Sequence, residues 1–194
     1  MGVKGMPFIL KSGQGLLYMK VGNHAQEPLD DILFRKRKEI EEAGISFWGY
    51  GGNTCHPQTM VQPFARSYEE RGGVIYLCMQ PMESKHFAYP IRAKEFSVDG
   101  LKWEEIDPAI NVVGSRYALL IRNLRQEEFD LALEKTRVAL GNSKGLIGSQ
   151  YIIGRVDKAC LEAIEEADPR APKSRVRIHL MAELVKPYAV YVRN

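Results

Sequence analysis

Cysteine is scarce: the 194-residue chain holds three, at positions 55, 78 and 160. The odd number, the wide spacing and the lack of a CxxC pair argue against a disulfide framework and a structural zinc site. The four histidines, His24, His56, His86 and His179, form no HxH, HxxxH or HExxH spacing. The sequence therefore carries no metal motif and implies no cofactor. Long apolar runs are missing too. No stretch approaches the roughly 18 residues of a transmembrane helix. The first residues are broken by Gly2, Gly5, Pro7 and Lys11, and lack the apolar core of a signal peptide. A soluble cytoplasmic protein without a membrane partner is the expectation. Charge of one sign is also in short supply. The 27 Lys+Arg against 24 Asp+Glu leave +3. That disfavours nucleic acid as a partner and means that any anion site must be local. A homo-oligomer is compatible with these numbers.

What is present is an ordinary globular composition, 45% apolar and 26% charged, with 17 Gly and 10 Pro. It excludes wholesale disorder and low-complexity arrays. The length suits one compact domain spanning 1–194. Frequent turns favour a β-rich or mixed fold over a helical bundle.

Strands are expected at 8–10, 16–21, 45–50, 74–79, 117–121 and 150–153, the 74–79 run being central because both its faces are apolar. A hairpin at 91–106 turns at Asp99-Gly100. Segments 175–182 and 187–193 alternate as a terminal hairpin or neighbouring strands. Helices are expected at 28–43, closed by Gly44, at 63–70 and at 127–140. The last has Phe129, Leu133, Thr136 and Leu140 on one face. A short amphipathic helix is expected at 156–164. Together these predict an α+β fold, a curved mixed or antiparallel sheet or small barrel with three to four packed helices.

The most unusual segment runs from Phe47 to Pro57, FWGYGGNTCHP. Trp48 and Tyr50 could stack on a purine or other planar ring. Gly51 and Gly52 let backbone N–H groups converge on an anion, and Asn53 and Thr54 can cap a turn or donate to phosphate. Gln62, Lys85 and Arg116 are candidate further contacts. This set predicts a small-molecule-binding protein for a nucleotide or other phosphorylated or anionic ligand, which it senses, carries or sequesters. It matches neither a Walker loop nor a GxGxxG turn. One alternative is a cysteine-dependent hydrolase or transferase with Cys55 as nucleophile and His56 or His86 as base. Another is a small-barrel module that binds modified nucleic acid. Cys78 and Cys160 are expected to be buried small hydrophobes.

Overall fold

The computed structural model describes residues 8–50, 58–83, 89–154 and 156–194, without the side chains of 58–60. In chain order the elements are β1 (Gly15–Val21), α1 (Leu29–Ala43), β2 (Ser46–Tyr50), α2 (Gln58–Glu69), β3 (Tyr76–Pro81), β4 (Glu95–Ser97) and β5 (Glu104–Glu105). Then come β6 (Tyr117–Ala132), a 3-10 turn (Leu133–Lys135), β7 (Thr136–Val138), α3 (Gly148–Tyr151), β8 (Lys158–Ala163) and β9 (Arg175–Arg193).

Among the described residues nine strands make one mixed sheet in the order β2-β6-β9-β3-β1-β8-β7, with β4 on β9 and β5 on β4. β1 and β3 run parallel. β3 also pairs antiparallel with β9, which makes it a central strand. Its Leu77, Cys78 and Met79 are fully buried, as a strand covered on both faces requires. Alternation along β1 sends Leu17 and Val21 to one face and Leu16 and Tyr18 to the other. Helices α1 and α2 cover the first face through Ile32, Leu33, Val61, Phe64 and Tyr68. Phe47, Leu120 and Val190 face the other way and pack under Ile106, Ile110 and Val112.

The expected mixed sheet is present but, among the described residues, it does not close: β2 and β7 are the ends of its path, so these residues form no barrel. Three expected elements change type. Segment 127–140 is not a helix. Residues 127–132 extend β6, and 136–138 form β7. Along 126–131, exposed Gln126, Glu128 and Asp130 alternate with more buried Glu127, Phe129 and Leu131. That is the two-residue period of a half-buried strand. Arg177 of β9 pairs with Glu128 and Asp130, and His179 with Glu128, across the ladder. Segment 156–164 is not a helix either. It contains β8, with Ala159, Cys160 and Leu161 all buried between β1 and β7. Segment 150–153 is no strand, because Gly148–Tyr151 is a helical turn. Gln150 Oε1 accepts the Ile147 N–H there. Residues 8–10 lie outside any strand, with Phe8 against Tyr76 and Phe129.

The terminal pair of strands is one long strand. The β6–β9 register shifts between Leu119↔Ala189 and Ile121↔Leu184, around a cis Lys186-Pro187 bond and Tyr188 at φ 69°. α1 ends as its sequence indicates, with Gly44 left-handed at φ 79° and its N–H on the Ile40 carbonyl. α2 starts earlier than expected and carries Pro63 within it.

Candidate functional site

β1 and β2 have three strands between them along the sheet, yet both contribute to one cavity of about 160 Å³. The curl of the sheet brings them together. α1 closes the cavity from one side and segment 111–115 from another. The connection after β1, Gly22 to His24, and Met82 after β3 also line it. It thus lies beside the carboxyl ends of the parallel pair, where ligands of α/β sheets commonly bind. The volume is close to that of an engineered cavity of roughly 150 Å³ that binds benzene.

Its walls are aromatic and apolar. Trp48 and Tyr50 stand two apart on β2, so they share a face. They are 5% and 3% exposed. Both belong to the main core and both line the cavity, so they are fixed walls rather than an open stacking platform. Gly49 between them pairs with Ala118 in the ladder. A Cβ at Gly49 would collide with Ser115 Oγ, so the absent side chain lets segment 111–115 press against β2.

The polar side of the cavity comes from α1. Ile32, Leu33 and Ile40 set the inward side of this helix, and Lys36, four residues from both isoleucines, is carried in with them. Lys36 is 3% exposed and Glu39 2%. Lys36 Nζ donates to Glu39 Oε2 at 2.9 Å and to the Asn111 carbonyl at 2.7 Å. Glu39 also accepts from Arg35 at 3.0 Å, Ser46 Oγ at 2.5 Å and the Asn111 N–H at 3.0 Å. Arg35 reaches back to Glu27 at 2.5 Å. Burial pushes Lys36 down to about 8, against the opposing pull of the Glu39 carboxylate. This network ties α1 to segment 111–115 and gives the cavity a cationic floor.

Four cations, Lys20, Arg35, Lys36 and Lys158, stand against three carboxylates, Glu27, Glu39 and Asp157. One positive charge is left over. Among the described residues Lys20 makes no ion pair. His24 Nε2 lies 2.9 Å from the Val113 carbonyl and 3.4 Å from Ser115 Oγ. The Asn111 Oδ1 atom is buried without a hydrogen-bond partner.

The other expected site residues are elsewhere. Gln62 donates to the Val98 and Ala189 carbonyls and ties α2 to the sheet, away from the cavity. Arg116 is exposed and does not line the cavity, although its neighbour Ser115 does. Gly51, Gly52, Asn53, Thr54, Cys55, His56, Lys85 and His86 lie outside the described residues. Cys78 and Cys160 are buried thiols, as expected, and burial pushes both up, Cys78 to about 12. Among the described residues no three His, Cys, Asp or Glu side chains are grouped to hold a metal ion, and no helix is long and apolar enough to cross a membrane.

Lys36, Arg35 and Asn111 were not among the expected site residues. The run Arg35-Lys36-Arg37-Lys38 reads as charge spread around a helix. The signal lay in the spacing, which puts position 36 on the stripe of Ile32 and Ile40. No protein-family model, curated protein or solved structure matches the chain.

Proposed function

We propose that the protein binds a small ligand that combines a planar ring with an anionic group, as a nucleotide does, and that it senses, carries or sequesters it. The ring-sized cavity between Trp48, Tyr50 and the Lys36 floor carries this reading. Its volume accepts one ring and not a whole nucleotide, since pockets for complete drug-sized ligands run to roughly 300–1,000 Å³. The ring enters and the anionic group stays outside. Lys20 and Lys158, half-buried on the cavity lining, are the cations available to that group. The surplus positive charge of the lining suits such a ligand, whereas the net charge of the whole chain is only +3.

Calorimetric titration with nucleosides and their monophosphates tests the reading. The expected result is saturable binding to the wild type. Lys20→Ala should weaken a monophosphate by about tenfold, the loss of one charge-assisted contact of roughly 1.4 kcal/mol, and leave the matching nucleoside unchanged. Absence of binding across the panel at millimolar ligand would overturn it.

A further inference from the structure

We propose that a second site, a cationic groove between the end of α2 and the β7–β8 pair, binds the phosphate chain of a condensed phosphate. It shares no lining residue with the cavity above and does not depend on that reading.

Four parts of the chain meet in this groove. Arg71 comes from the turn after α2, Arg137 from β7, Lys144 from the turn that follows β7, and Glu162 from β8. All three cations are exposed, so a ligand can reach them. Three positive charges against one carboxylate leave two positive charges along the walls. Among the described residues neither Arg71 nor Lys144 meets a carboxylate.

The two arginines are held rather than loose. The buried Tyr68 donates its hydroxyl to Glu162 Oε2, and Arg137 donates to Glu162 Oε1 at 3.1 Å. Arg71 lies over the Tyr68 ring at 4.4 Å, with its Nε on the Ser67 carbonyl at 2.9 Å. One tyrosine and one carboxylate thus anchor both guanidinium groups. Gly15 permits this packing, since a Cβ there would stand 2.7 Å from the Tyr68 ring. Burial and the Glu162 carboxylate push the Tyr68 hydroxyl up, so it stays a donor at neutral pH. A guanidinium carries five N–H donors, and both groups keep donors to offer an oxyanion. Side chains fixed in advance lose less freedom on binding.

The arrangement also selects the ligand. The cations stand along a groove of about 630 Å³ rather than around one point, which suits a chain of phosphates more than a single one. The aromatic residues of its lining, Phe64 and Tyr68, are 7% and 6% exposed, so they offer no ring face on which a base could stack. Recognition rests on charge and hydrogen bonds to phosphate oxygens.

Calorimetry in metal-free buffer at constant ionic strength tests this, with inorganic triphosphate, sulfate and adenosine triphosphate as probes. Triphosphate should bind saturably and at least tenfold tighter than sulfate, which offers a single anionic group. Lys144→Gln and Arg137→Gln should each weaken triphosphate by about tenfold, the loss of one charge-assisted contact. Lys20→Ala, in the other cavity, should leave it unchanged. Lys144→Gln should melt with wild type, because the Lys144 side chain has no partner to lose among the described residues. Adenosine triphosphate that binds no tighter than inorganic triphosphate assigns a free phosphate chain. A tighter fit that Lys144→Gln still weakens assigns the tail of a larger molecule. Triphosphate binding that neither groove variant weakens, or that Lys20→Ala abolishes, overturns the proposal. So does sulfate that binds as tightly as triphosphate, or the absence of saturable binding at millimolar triphosphate.

Discussion

Lys36 and Glu39 are buried charges of opposite sign, and they are not equally replaceable. Glu39 accepts from four donors, so Lys36→Met leaves its carboxylate with Arg35, Ser46 and the Asn111 N–H. Glu39→Ala leaves two cations next to each other and strands those donors. Breaking a buried pair in that way costs roughly 3–5 kcal/mol. Chemical denaturation should therefore show Glu39→Ala well below Lys36→Met in stability. Equal losses would contradict the network. The two differ with pH as well. The folded pKa of Lys36 is lowered from 10.5 to about 8. Between those values the unfolded chain holds a proton that the folded chain has released, so stability rises with pH there. The gap between wild type and Lys36→Met should shift in favour of wild type by up to roughly 3 kcal/mol over that window. Using the difference cancels Cys78 and Tyr18, which act in the opposite sense because burial raises both to about 12. The aromatic pair Trp48 and Tyr50 stood out in the sequence, and both wall the cavity. Lys36 did not stand out, because composition draws attention to the basic run and only helical spacing separates its buried member from its solvated neighbours.

At the scale of elements, competition between two periodicities decides the middle of the chain. Phe129, Leu133, Thr136 and Leu140 stand at helical spacing, but Phe129, Leu131 and Leu133 also alternate. β9 supplies a partner for the second pattern and not for the first. Its Arg177 forms ion pairs with Glu128 and Asp130, and its His179 lies against Glu128, across the ladder. α1, β1, β2 and β3 were legible because their local signals had no rival reading. The acidic first turn and Gly44 frame α1, and an apolar run marks β3. β8 was not, since a strand buried on both faces lacks alternation and resembles one side of a helix. The corner between β7 and α3 depends on Gly148. A Cβ there would stand 2.8 Å from the Leu133 carbonyl, a backbone atom with little room to move. Gly148→Ala should destabilise the protein by roughly 1–3 kcal/mol in urea unfolding, through overpacking. A neutral result would show that this corner is looser than its geometry indicates.

For the whole molecule, the important property is curvature. A flat sheet would keep β1 and β2 apart by the width of three strands. The curled sheet brings Met19 and Trp48 to one cavity, and α1 seals it with the Lys36 network. The sequence indicated a curved mixed or antiparallel sheet or small barrel, and a modest net charge. It did not indicate which distant residues meet, because that depends on the long β6–β9 pairing and its register shifts. The measurement that addresses the central claim most directly uses Trp48 itself. The chain has two tryptophans, and Trp103 stacks under Arg193 at 3.9 Å, outside the cavity lining. In Trp103→Phe the emission comes from Trp48 alone. Titration with the nucleoside monophosphate that binds in calorimetry should quench or shift that emission saturably, with the same dissociation constant. Calorimetric binding that leaves Trp48 emission unchanged would place the ligand elsewhere and contradict the account.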